Sequence, residues 1–128
     1  MPTSLLNETT TSNEANKKTR VIDLEKARRL VAEVNDAGGA YHRCDFGHGL
    51  VVHGDYDMTK YLADYELPDD LTDWDVLDIG TASGFFALEC ARRGGRVTAI
   101  DIWEAPTVLH RVAAVSYTHL TLPTILRV

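Results

Sequence analysis

The chain has 128 residues, 45% of them hydrophobic and 25% charged, which is the length and balance of one soluble globular domain. No apolar run approaches the roughly 20 residues that a spanning helix needs, which excludes a membrane protein. A formal charge of -6 argues against a broad cationic face for phosphates, and two cysteines, Cys44 and Cys90, make no disulfide framework, so a reducing, cytoplasmic setting is expected.

Residues 1–20 read as a flexible polar tail, because MPTSLLNETTTSNEANKK has neither the basic start nor the apolar core of a signal peptide. Leu24, Ala27, Leu30, Val31 and Val34 then recur at helical spacing, and Gly38-Gly39 supplies a stop, so an amphipathic helix is predicted over 23–36. YHRCDF and LVVHG around Gly47-His48-Gly49 read as two short strands of a hairpin. A short helix is expected from near Asp57 through DMTKYLADY, ended by LPDDLTD. These elements form a lead-in over 21–74.

From Asp75 the pattern becomes an apolar run, a glycine-rich turn, a helix from Phe85 to Arg93, Gly94-Gly95 and a second apolar run, RVTAIDI. Strand, turn, helix, strand is the reading, and because both runs are almost continuously apolar they suit parallel strands covered on both faces. In the turn, Asp78-Ile79-Gly80-Thr81-Ala82-Ser83-Gly84, the small residues let the backbone bend sharply and approach a ligand. Asp101 ends the second run seventeen residues beyond Gly84, close to the ~20 expected for a carboxylate that accepts from ribose hydroxyls. The plain alternative is that Gly80 and Gly84 mark an ordinary βα turn and that Asp78 caps the helix start or holds the loop. Phe85, Phe86, Leu88 and Ala91 read as core.

A dinucleotide site wants glycine at the sixth place of GxGxxG, and that place here is Phe85. VLDIGTASG instead resembles motif I of class I S-adenosylmethionine-dependent methyltransferases, hhDhGxGxG, with Ala82 at the middle glycine. The resemblance implies a Rossmann-like α/β fold. It also implies cofactor contacts from Gly80, Thr81, Ala82, Ser83, Gly84 and Ile102, with Asp78 organising the methionine end and Asp101 holding the ribose. A nicotinamide-dependent oxidoreductase is the competing enzyme class, and a non-enzymatic remnant the third reading.

Upstream, YHRCDFGHGLVVHGDYDMTKYLADYELPDDL is similar to the YHxIDxGxGxVTxGxxD lead-in of a methyltransferase subfamily akin to the enzymes that alkylate the wobble uridine of transfer RNA. That implies a small molecule or tRNA as acceptor, with Cys44 and His53 departing from the pattern. His42 is the candidate general base, since an imidazole titrates near neutrality; an ordinary core histidine is the alternative. His42, His48 and His53 with Cys44 and Asp45 match no common zinc spacing, and no metal is expected.

The family fold has about seven strands, and its later ones correspond to positions beyond Glu104. The domain begun at 75–114 is therefore expected to be truncated after its second sheet strand, with open edges, uncovered apolar faces and no activity of its own. Residues 115–128, ending VSYTHLTLPTILRV, do not continue the family pattern and resemble a translated sequencing adapter. The alternative is a β-prone segment that pairs with the sheet.

Overall fold

The computed structural model describes residues 23–102, 107–116 and 121–128, and the tail expected over 1–20 lies outside them. Helix α1 spans Leu24–Asp36, starting where Asp23 Oδ1 accepts the Lys26 backbone N–H at 2.9 Å, and it buries Ala27 and Val31. It ends as the sequence predicts, with Gly38 and Gly39 in the left-handed region and the Gly39 N–H bonded back to the Val34 carbonyl at 2.8 Å.

The lead-in holds four short strands where two were expected: β1 (Ala40–His42), β2 (Cys44–Asp45), β3 (Val51–Val52) and β4 (Gly54–Tyr56). β2 and β3 form the expected antiparallel hairpin, Cys44 opposite Val52. Its turn closes because Asp45 Oδ1 accepts the Gly47 N–H at 2.8 Å. β1 and β4, however, pair in parallel, Ala40 with Gly54 and His42 with Tyr56. Arg43 and His53 interrupt the two segments, and two ladders stand in place of one hairpin. The Asn35 side-chain amide fastens α1 to this unit, donating to the Val51 carbonyl at 3.0 Å and accepting from the His53 N–H at 2.8 Å. A 3-10 helix over Met58–Tyr65 follows, starting near Asp57 as expected, and Asp57 caps it by accepting the Thr59 N–H.

The main sheet is three-stranded and parallel, in the order β5 (Asp75–Ile79), β6 (Arg96–Asp101), β7 (Thr124–Arg127). Helix α2 (Phe85–Arg92) joins β5 to β6, and α3 (Thr107–Ser116) precedes β7. The expected stop after the second strand is therefore corrected: Ala99 pairs with Ile125 and Ile100 with Leu126. Leu122 and Ile125 pack on the cluster of Leu71, Ala87, Cys90, Ala91, Val97 and Ala99, which gives this β-prone segment apolar surface to bury against. The boundary placed at 114/115 falls inside α3, where Ser116 is buried and donates to the Val112 carbonyl at 2.7 Å.

A second cluster joins α1, the hairpin, α2 and α3 through Ala27, Val31, Cys44, Phe46, Leu50, Val52, Phe85, Leu88, Leu109, Val112 and Ala113. Arg93 locks the LPDDL loop to α2, donating from Nη1 to the Leu67 carbonyl at 2.8 Å and from Nε to Glu89 at 3.1 Å.

Among the described residues the sheet is covered on one face only. Val76, Val97 and Ala99 face the α2 cluster, but Leu77 and Ile79 on the other face of β5 are 59% and 73% exposed. By register Ile79 continues through half-buried Ile100 to exposed Leu126, and Leu77 through Thr98 to Thr124. Two-sided cover, the expectation from the apolar runs, is absent among the described residues, which leave one face of the sheet bare.

Burial pushes the Cys44 thiol up to about 11, against the lowering influence of Arg92, and Cys90 is raised by burial as well. Both thiols are expected to resist alkylation at pH 8 for as long as the chain stays folded and to react at once in denaturant. Rapid native labelling of Cys44 would contradict this packing.

Candidate functional site

The turn after β5 is built from backbone conformations that few residues adopt. Gly80 has φ 73°, Ala82 φ 52° and Gly84 φ 93°. Open space surrounds the position of a Cβ on Gly80, so glycine serves there for its φ alone. Ala82 is a non-glycine residue held left-handed, a conformation that needs an anchor. Asp101 provides it, accepting the Ala82 N–H on Oδ2 at 2.8 Å while Oδ1 accepts the Ile102 N–H at 2.7 Å. The Gly80 and Thr81 N–H groups both reach the Ile100 carbonyl, at 2.9 and 3.2 Å. The loop is thus fastened to the C-terminal end of the neighbouring strand.

That end of the sheet, where open α/β sheets take their ligands, carries a cavity of about 430 Å³. It is lined by Tyr41, His42, Asp78, Gly80, Thr81, Ala82, Phe86, Asp101 and Ile102. Six of the eight residues assigned to the cofactor from sequence meet here, together with His42. Ser83 and Gly84 do not line it. Ser83 is turned inward and Gly84 caps α2 from behind the loop. Phe86, read as core, stands in the cavity wall, and Tyr41 completes the rim, with its ring centroid 4.8 Å from that of Tyr56. Phe86 follows Phe85 at the start of a short helix, and two adjacent aromatic residues cannot face the same way there; that geometry is the signal for one of them leaving the core.

Two oxygen atoms in this wall, Asp78 Oδ2 and Thr81 Oγ1, are buried without a hydrogen-bond partner among the described residues. Buried polar oxygens are ordinarily satisfied, so a pair of them at one cavity sets it apart. A larger cavity, about 540 Å³, lies at the opposite ends of β5 and β6. Its charges, Asp75 and Arg96, already pair at 2.8 Å, and it contains neither of the unpartnered oxygens. The smaller cavity is the candidate site.

His42 is buried to 6% exposure beside Ser83 at 1%. Ser83 Oγ accepts the His42 backbone N–H at 2.9 Å and lies 2.9 Å from its Nδ1. The rings of Tyr41, Phe85 and Phe86 surround the imidazole at centroid distances of 4.8, 5.8 and 6.2 Å. Burial lowers its pKa below the ordinary 6.5, with the Asp78 carboxylate pulling weakly the other way. The unfolded chain therefore takes up this proton first as pH falls. The neutral ring's contribution to stability is complete above pH 6.5 and is lost as pH drops through the folded value. The urea midpoint is expected to fall between pH 7.5 and 5.5, and less in His42→Phe; the same fall in both proteins would refute the assignment.

His48 and His53 are exposed, His48 in the hairpin turn, and among the described residues no three His, Cys, Asp or Glu side chains gather to hold a metal. None of the described helices is long and apolar enough to cross a membrane. Comparison of the chain with protein-family models, with curated proteins and with solved structures returns no match.

Proposed function

We propose that this chain carries the cofactor-binding half of a Rossmann-like, class I S-adenosylmethionine-dependent methyltransferase that modifies a small molecule or tRNA. The observation that carries the reading is the meeting of the Gly80–Gly84 loop with Asp101 and the unpartnered Asp78 Oδ2 at one cavity. These groups suit the cofactor's two ends. Asp78 offers an acceptor for an ammonium group, Thr81 a hydroxyl, and Asp101 a carboxylate at the strand end where ribose hydroxyls are read. Tyr41 and Phe86 supply apolar surface. When bound, S-adenosylmethionine supplies a sulfonium methyl group open to in-line displacement, and the protein's part is to position and to exclude water.

With half the contacts in place, affinity is expected to be weak, on the order of 1 mM, or roughly 4 kcal/mol. Amide chemical shifts report binding at that strength. Titration with S-adenosylhomocysteine is expected to move the Gly80, Ala82 and Ile102 signals saturably. No movement at several times that concentration, or larger movements with NADH, would refute the reading.

A further inference from the structure

The Ser83–His42 pair fixes more than a ring position. Ser83 Oγ already accepts the His42 backbone N–H, so its own hydroxyl hydrogen needs an acceptor, and among the described residues the one within reach is His42 Nδ1, 2.9 Å away. With Nδ1 accepting, both hydrogens at this contact, that of the His42 backbone N–H and that of the Ser83 hydroxyl, have an acceptor. With Nδ1 protonated, the serine hydrogen would be stranded in a site that is 1% exposed. The neutral ring then carries its hydrogen on Nε2, which makes no hydrogen bond among the described residues, and His42 lines the cavity that holds the unpartnered Asp78 oxygen.

We infer that Ser83 is a positioning residue that locks His42 as the Nε2–H tautomer, so that His42 serves as a hydrogen-bond donor to the anionic end of the bound ligand and not as a proton acceptor. The wall then presents a donor at His42 and an anionic acceptor at Asp78, a pattern that matches the carboxylate and ammonium of an α-amino acid. The ligand class rests on the cofactor reading above; the tautomer does not. Tyr41, Phe85 and Phe86 pack around the ring and keep it from turning over, which would exchange the two nitrogens.

Nitrogen-15 imidazole spectra at pH 7.5 test the lock directly. The wild-type protein is expected to show an unprotonated Nδ1 and a protonated Nε2, with Ser83→Ala giving a mixture and Ser83→Thr restoring the single form. A protonated Nδ1 in the wild type, or an unchanged tautomer in Ser83→Ala, overturns the lock; where Ser83→Ala is too unstable to record, the wild-type spectrum decides alone. His42→Phe is expected to weaken S-adenosylhomocysteine about tenfold while leaving 5′-methylthioadenosine, which lacks the amino-acid end, unchanged. Equal losses for both compounds overturn the donor role. If neither compound binds the wild type, the cofactor reading and the ligand assignment fall together, while the tautomer result stands on its own.

Discussion

Gly54→Ala is expected to abolish cooperative folding or to cost more than about 4 kcal/mol, at the extreme of what single substitutions do. A Cβ on Gly54 would overlap the backbone of His42 and Arg43, where β4 lies against β1. Neither neighbour is a flexible side-chain tip, so the overlap can be relieved only by separating the two strands. That separation would also break the Ala40 and Arg43 N–H bonds to the His53 and Tyr56 carbonyls, each 2.8 Å. Since a domain of this size is stable by roughly 5–15 kcal/mol, the loss takes most of the margin. Gly49→Ala is the control: its φ is +74° but nothing lies within 4 Å of the added carbon, so only the left-handed strain of about 1–2 kcal/mol applies. Thermal unfolding of both variants separates the two causes. Equal losses would mean that β1 and β4 do not pack as closely as described, and His42 would lose the strand that carries it into the cavity wall.

What the sequence disclosed follows the range of the interactions involved. α1 was legible almost to the residue, because its apolar spacing and the Gly38-Gly39 stop are both local. The strand, turn, helix and strand from Asp75 to Asp101 were legible for the same reason. The parallel pairing of β1 with β4 was not, since strands of two or three residues have too little pattern to tell one ladder from two. The apolar run of β5 showed that Leu77 and Ile79 could be covered but not whether anything covers them, because burial is set by the partner and not by the strand. The union of Ser83 with His42, 41 residues apart, leaves no trace in spacing. Ser83 was placed in the loop by its motif, but the direction of its side chain depends on a histidine delivered by a different ladder.

The second large effect is expected at Asp101, where Asp101→Ala should weaken S-adenosylhomocysteine by roughly 1.5–3 kcal/mol, about 10- to 150-fold, if an ionised acceptor to ribose hydroxyls is lost. The structure adds a second consequence to that expectation. The same carboxylate holds the loop by accepting the Ala82 and Ile102 N–H groups at 2.8 and 2.7 Å. A carboxylate oxygen has more than one lone pair, so holding the loop and accepting from a ligand are compatible roles. Removing it leaves the part-buried Ala82 N–H without its acceptor and releases a residue held at φ 52°, so stability should fall by about 1–3 kcal/mol as well. Asp101→Asn separates the two. Its amide keeps one oxygen for the Ala82 N–H but turns an NH2 group toward the Ile102 N–H, and it carries no charge. Stability should then recover in part while affinity stays low. If Asp101→Asn regains stability and affinity together, Asp101 acts on the ligand only through the loop. If Asp101→Ala loses stability with no change in affinity, the carboxylate is a bracket between β6 and the glycine turn and has no direct part in binding.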